Sequence, residues 1–174
     1  MKEYEINSST MAIVPLDDSN SMVYEEEENY VVKQSANSII KKNCEFYGSS
    51  YQGRCVGTKA LTGIKTKFPI IIEESRNIIF FPTTSARTQQ ATWIALNKID
   101  KYKKIYNVNN KSEIIFKNLN KMNINISFYS LENQIYRANM LKTKLYEIKN
   151  MRKDWKKQFF LFLLLKLWYN YICV

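Results

Sequence analysis

The sequence predicts an α+β fold: a mainly antiparallel sheet with a long amphipathic helix at about 130–150 and a shorter helix at about 36–47. Short runs rich in β-branched and aromatic residues alternate with polar turn-formers through most of the chain. Two pairs of these runs are separated by only a few residues, as in β-hairpins. From Ser130 onward, the apolar residues recur with the period of a helix.

The N-terminal third predicts three short strands followed by the shorter helix. The segments "YEI", "TMAIVPL" and "NYVVK" have strand composition and are separated by polar residues, which indicates a β-meander. In residues 36–47 the apolar positions form a helical stripe, and Gly48 favours the end of a helix. This stripe consists of Ile39, Ile40, Cys44 and Tyr47.

The stretch "CEFYGSSYQGRCVGT" (44–58) holds three of the four glycines of the chain. Its glycine spacing fits neither the phosphate-binding P-loop nor the dinucleotide-binding fingerprint. Three glycines within ten residues predict a flexible loop with three chain reversals, on which Ser49, Ser50 and Arg54 contact a phosphate backbone. A purely structural turn remains an open alternative.

Two hairpins follow. The runs "FPIIIE" (68–73) and "NIIFFP" (77–82) predict a buried pair of strands joined by "ESR". The runs "SEIIFKN" and "MNINIS" alternate with period two and predict a second pair, with Ile124 and Ile126 on one face.

The long helix is predicted to start with Ser130 as its N-cap. An adjacent stripe with Asn133, Arg137 and Lys144 is typical either of contact with a polar partner or of an ordinary solvated face. The apolar face consists of Leu131, Ile135, Ala138, Leu141, Leu145 and Ile148.

Charge is distributed unevenly along the chain. The formal net charge of the 174 residues is +10, but residues 1–35 carry −6 and residues 36–174 carry +16. The basic part requires an acidic partner, and both nucleic acid and an anionic membrane surface meet that requirement. The acidic start either docks on a basic surface or keeps the chain in solution.

The residue types present argue against catalysis. The chain has no histidine, which removes the commonest general base and metal ligand. The three cysteines have no zinc-binding spacing, so we expect reduced thiols, no metal site, no cofactor and no enzymatic activity. The N-terminus lacks the pattern of a secretory signal, and we expect the protein to be cytoplasmic.

The last segment, "FFLFLLLKLWYNYICV", is apolar but short. As a helix, its sixteen residues would span about 24 Å, less than the roughly 30 Å hydrocarbon core of a bilayer. Lys166 lies near its middle. We therefore expect no membrane span here, and instead burial against the sheet or recognition by a partner.

Three strings resemble the bacterial competence transcription factor family, ComK. They are "CEFYGSSYQGRCVGT", "PIIIEESRNIIFFPTTSARTQQATWIAL" and "ISFYSLENQIYRANMLKTKL", and the likeness covers roughly residues 4–158. The resemblance implies a non-enzymatic activator of DNA-uptake genes that binds A/T-rich boxes as a homo-oligomer, largely through the minor groove. It also implies an adaptor and a protease that capture the C-terminal part.

Arginine, lysine and amide side chains suit the narrow, electronegative minor groove of A/T-rich DNA. The predicted DNA-binding residues are Ser49, Ser50, Arg54, Lys59, Arg87, Gln89, Gln90, Asn133, Arg137 and Lys144. The predicted adaptor-docking residues are Phe159, Phe160, Leu161 and Phe162.

These features predict a single DNA-binding domain over 1–157 with an acidic N-terminal part, and an apolar tail over 158–174. The tail departs from the pattern of the family, whose members continue with a proline and a charged helix. Three interpretations of the tail therefore stay open: it is native, truncated or frameshifted relative to the family. We expect association with the nucleoid when the protein is bound to DNA. The alternative function is a basic membrane-surface or protein-interaction module that uses the apolar tail.

Overall fold

The computed structural model describes residues 3–88, 90–106 and 110–172, and the side chains of residues 157 and 161–172 lie outside this description. It confirms the α+β class. The described strands form a six-stranded and a three-stranded sheet, and every pairing within them is antiparallel.

An N-terminal meander is present, but its strands differ from those predicted. It consists of β1 (Thr10–Pro15), β2 (Ser21–Glu25) and β3 (Asn29–Val32). The prediction of a strand at "YEI" is wrong because side chains of other elements bond this segment. The Ile6 N–H donates to Asn43 Oδ1 at 2.8 Å, and the Tyr4 hydroxyl donates to Glu25.

Two helices follow, and only the first was predicted. Helix α1 (Ala36–Phe46) starts at Ser35, whose side chain accepts from the Ser38 N–H at 3.2 Å. It ends where Gly48 adopts a φ of 76°, as expected for a glycine after a helix. Helix α2 (Tyr51–Thr62) then occupies most of the stretch that was predicted to be a loop.

The six-stranded sheet is completed by β4 (Ile70–Glu73), β5 (Ile78–Pro82) and β6 (Trp93–Ala95). The strand order is β3-β2-β1-β6-β5-β4. The predicted hairpin of β4 and β5 is confirmed, and β5 is buried along its whole length. One core cluster joins this sheet to the two helices and includes Ile13, Ile39, Ile40, Cys55, Phe80 and Trp93.

The three-stranded sheet has the order β7-β8-β9, formed by β7 (Ile99–Lys104), β8 (Ser112–Phe116) and β9 (Lys121–Ile124). The predicted second hairpin is confirmed as β8 and β9, with Ile124 and Ile126 buried. Strand β7 was not predicted because its lysines hide the strand pattern.

Helix α3 spans Phe128–Ile172. Ser127, rather than Ser130, caps its start: the Ser127 Oγ accepts from the Ser130 N–H at 3.2 Å. The prediction of Ser130 as the cap is wrong because this residue already lies in the first turn. The expected burial of the apolar face is confirmed over about the first four turns, at Leu131, Ile135, Ala138 and Leu141.

The chain divides into two compact units, Met1–Leu141 and Lys142–Val174. The second unit contains the later part of α3, in which Leu145 and Ile148 are half-buried and the rings of Trp155 and Phe159 stack 5.7 Å apart. The domain boundary between 157 and 158 stays a prediction. Among the described residues, we find no helix both long enough and apolar enough to cross a membrane.

Candidate nucleic-acid interface

The glycines of the stretch 44–58 do not create the predicted flexible loop. Only Gly48 has a positive φ, whereas Gly53 and Gly57 lie inside α2. The Ser50 Oγ accepts from the Gly53 N–H at 2.9 Å and caps α2. A Cβ on Gly53 would lie 3.2 Å from the Ser50 Oγ and 3.3 Å from the Ser49 Oγ, so glycine gives this cap its room.

Arg54 therefore lies on a helix, and the prediction that it lies on a loop is wrong. It is half-buried, and its Nη2 donates to the Tyr47 carbonyl at 3.3 Å and approaches the Ile72 carbonyl at 3.5 Å. Its Nε is buried without a hydrogen-bond partner. These contacts connect α2 to the end of α1 and to β4, while contact of Arg54 with DNA stays a prediction.

A basic groove of about 910 Å³ lies in the first unit, between α1, α2, the loop before β4 and the loop after β5. Its lining includes one acidic residue, Glu45. Within the described part of the chain, its basic side chains are exposed and form no ion pairs. These side chains belong to Lys41, Lys59, Lys65, Lys67 and Arg87.

Polar and aromatic groups line the same groove. Ser50, Gln52 and Ser85 supply hydroxyl and amide groups, and Tyr51 and Phe68 supply rings. Such a combination of cations, hydrogen-bonding groups and aromatic rings suits a nucleic acid, whose backbone is anionic and whose sugars and bases offer polar and flat surfaces.

The loop that carries Arg87 is held by a buried amide. Asn37 Nδ2 on α1 donates to the carbonyls of Ala86 at 3.0 Å and of Thr88 at 3.1 Å. The indole Nε1–H of Trp93 in turn donates to Asn37 Oδ1 at 2.9 Å. Asn37 thereby fixes the position of the Arg87 loop relative to the sheet.

The opposite loop, with Lys65 and Lys67, is held by α2 and α3. The Thr58 hydroxyl donates to the Pro69 carbonyl at 3.0 Å. The buried Gln134 Nε2 donates to the carbonyls of Pro82 at 2.6 Å and Lys67 at 3.4 Å. Arg137 Nη1 donates to the Thr66 carbonyl at 3.2 Å, so this predicted site residue lies beside the groove.

The structure brings some of the predicted DNA-binding residues together. Ser50, Lys59 and Arg87 line the groove, and Ser49 adjoins Ser50. Gln90 is exposed on the loop that follows Arg87. Gln89 lies outside the described residues.

Other predicted residues lie elsewhere. Asn133 lines a separate hollow with Tyr102 and Tyr136. Lys144 belongs to the second unit and pairs with Glu147 at 2.8 Å. The rings of Phe159 and Phe160 are exposed, at 52% and 64%, whereas the side chains of Leu161 and Phe162 lie outside the description.

Lys41, Gln52, Lys65 and Lys67 are among the groove residues that were not predicted from the sequence. Lys41 lies on the polar face of α1, and the motif "KTK" at 65–67 lies between a helix and a strand. Two lysines separated by one residue in a connecting loop could have indicated a phosphate-binding site. Only the fold shows that these lysines face Arg87 across a groove.

The two cysteines among the described residues show no sign of redox or metal chemistry. Cys44 and Cys55 are free and buried. Burial raises the pKa of the Cys44 thiol to about 12 and also raises the pKa of Cys55, so both stay protonated near neutral pH. The described residues contain no cluster of three or more side chains suited to a metal ion.

The fold and the groove define a basic α+β binding protein with a surface suited to a polyanion. Comparison with protein families matches residues 1–149 to the ComK protein family. The chain is 32% identical over 165 residues to the competence transcription factor of Bacillus subtilis (strain 168), covering 93% of this chain and 85% of that protein. No solved structure matched the chain.

The chain belongs to the ComK family. The family is one of transcription factors, which confirms the prediction that the chain is not an enzyme.

Proposed function

We propose that this protein binds DNA and activates the transcription of competence genes, those for DNA uptake. Its membership of the ComK family supports this function. The basic groove supports a place where DNA would bind. Its lining has five cations and one carboxylate, and these cations form no ion pairs in the described part of the chain.

A salt titration of binding to an A/T-rich duplex tests this function. Each neutralised phosphate contributes about −0.9 to the slope of the logarithm of the association constant against the logarithm of salt concentration. Engagement of the groove by several phosphates predicts a slope of several units. A slope near zero between low and physiological salt would contradict DNA binding by this protein.

The finer proposal is recognition of A/T-rich boxes through the minor groove. Arg87 and the exposed amides of Gln52 and Gln90 support it, because arginine and amide side chains read the width and the acceptors of that groove. A minor-groove ligand should displace the protein from an A/T box, and bulky modification of the major groove should be tolerated. The reverse result would assign recognition to the major groove.

We further propose that the protein acts in the cytoplasm as a homo-oligomer, associates with the nucleoid when bound to DNA, and is captured by an adaptor and a protease through its C-terminal part. The exposed rings of Phe159 and Phe160 support the last proposal. Changing both to serine should abolish capture by the adaptor and leave DNA affinity unchanged. Retained capture would exclude these rings as the docking site.

The exposed aromatic residues of the second unit favour one alternative function. Trp155 is 69% exposed, with Lys156 directly after it and Lys153 two positions before it, and an exposed tryptophan with nearby lysines is found in helices that lie on anionic membranes. Flotation with anionic vesicles separates the two functions. A DNA-binding protein should stay in the soluble fraction, and a membrane-surface module should float.

A further inference from the structure

The three-stranded sheet presents a second basic surface, which shares no residue with the lining of the groove. Its alternation puts Ser112, Ile114 and Phe116 on the buried face. The positions between them and their partners on the neighbouring strands form the other face. The registers pair Lys101 with Ile115 and Ile115 with Lys121, and they pair Lys103 with Glu113 and Glu113 with Asn123.

This outward face, extended by the residues that flank β8, is called the lysine face. Lys111 and Lys117 precede and follow β8 in step with Glu113 and Ile115, and both lysines are exposed. The lysine face therefore carries five lysines against Glu113 and the neighbouring Asp100. Its lysines are Lys101, Lys103, Lys111, Lys117 and Lys121.

Among the described residues, ion pairs neutralise only two of these five lysines. Lys103 pairs with Glu113 at 3.2 Å, and Lys101 is 3.9 Å from Asp100. Lys111, Lys117 and Lys121 form no ion pair with any residue that the structure describes. The face consequently keeps a net positive charge that an anionic partner would neutralise.

Protection of sheet edges does not account for this arrangement. Lysines on edge strands discourage pairing with other chains, which explains those of β7 and β9. Strand β8 is the central strand, however, and lysines flank it at both ends. Lysines on both edge strands and at both ends of the central strand give a charged plane instead of two charged edges.

We propose that the lysine face binds the phosphate backbone of DNA in addition to the basic groove. Lysine acts as a point charge toward phosphate and reads no sequence by itself. The strands carry no aromatic ring on this face for stacking with bases, and the half-buried Ile115 is its one large apolar side chain. The contact would therefore add affinity and salt dependence to binding without adding sequence specificity. The proposal rests on DNA binding as the proposed function.

The test compares two double variants of the full chain that remove equal charge. Lys117→Gln with Lys121→Gln changes the lysine face. Lys33→Gln with Lys42→Gln, in the same unit, changes lysines that line neither the groove nor this face. Both variants and the unaltered protein are titrated with salt on an A/T-rich duplex and on a duplex of random sequence, and thermal unfolding checks the fold.

The lysine-face variant should lose roughly 1.8 from the magnitude of the salt slope, since each phosphate contact contributes about 0.9. The loss should be equal on the two duplexes, and the control variant should keep the slope of the unaltered protein. If the two variants have equal slopes while the unaltered protein still binds in a salt-dependent manner, DNA binding by the lysine face is overturned. The proposed function then remains intact. If the lysine-face variant lost binding to anionic vesicles but kept its salt slope on both duplexes, the lysine face would be a lipid-binding surface and the proposal would also be overturned. Failure of the unaltered protein to bind either duplex would overturn both.

Discussion

Asn37 illustrates, at the scale of the residue, how a buried amide positions a binding loop. Its amide donates to the carbonyls of Ala86 and Thr88 and accepts from Trp93, so it fixes the backbone on both sides of Arg87. A carboxylate at position 37 would keep the acceptor for Trp93 but would repel the two carbonyls. The position of Arg87 in the groove therefore depends on the hydrogen bonds of Asn37.

We expect Asn37→Asp to lower the magnitude of the salt slope of DNA binding by about 0.9, the contribution of one phosphate contact. Arg87→Gln should have the same effect, and the double variant should lose no more than either single variant. Asn139→Asp is the matched control, because its exposed amide donates to Ile135 within α3. Full additivity of the two single changes would show that Asn37 does not act through Arg87.

Arg54 has contacts that predict a structural effect. Its guanidinium donates to the Tyr47 carbonyl and approaches the Ile72 carbonyl in a part-buried setting, and loss of such charged hydrogen bonds costs about 1–3 kcal/mol. Arg54→Ala and Arg54→Lys should both lower the free energy of unfolding in urea, because lysine cannot reproduce the fork. If DNA affinity falls in Arg54→Ala and is kept in Arg54→Lys, the charge of Arg54 also contacts DNA. Unchanged stability in both variants would contradict the structural role of Arg54.

At the scale of the element, burial along α3 changes after Leu141. Leu141 is 1% exposed and belongs to the first unit, whereas Leu145 is half-buried and belongs to the second. The apolar period alone gave both residues the same expected burial. Because the period continues beyond the packed turns, sequence periodicity overestimates the buried length of this helix.

Leu141→Ala should therefore destabilise the protein by about 2–5 kcal/mol, through lost burial and the cavity that remains. Leu145→Ala should cost less than half of the value measured for Leu141→Ala, since its side chain already contacts solvent. Urea unfolding of the two variants measures the difference. Equal losses would mean that Leu145 is as fully covered in solution as Leu141.

Elements with long, regular patterns could be predicted, and those with conflicting local signals could not. The hairpin of β4 and β5 and the helix α3 follow from strong apolar runs and a clear period. Helix α2 was missed because Gly53 and Gly57 were interpreted as chain reversals, whereas the cap at Ser50 and packing of Cys55 and Thr58 keep it helical. Tertiary contacts outweigh the roughly 1 kcal/mol that a glycine costs inside a helix.

At the scale of the whole molecule, positive charge is concentrated on surfaces that the sequence shows only in part. The excess of +16 over residues 36–174 predicts an anionic partner but no location for it. In the first unit, the groove collects cations from four separate segments, and the lysine face collects them from β7, from β9 and from the residues that flank β8. Ser50, Lys59 and Arg87 could be proposed from the sequence, while the place of Lys41 on α1 and of Lys65 and Lys67 before β4 depends on how these segments are brought together by the fold.

The central claim is that the basic groove binds DNA, and one comparison of salt slopes tests it most directly. Lys65→Gln with Arg87→Gln removes one cation from each loop of the groove, and Lys33→Gln with Lys42→Gln removes equal charge elsewhere in the same unit. On an A/T-rich duplex, the groove variant should lose roughly 1.8 from the magnitude of the slope, and the control variant should lose close to none. A folded groove variant with the slope and affinity of the control would contradict the account.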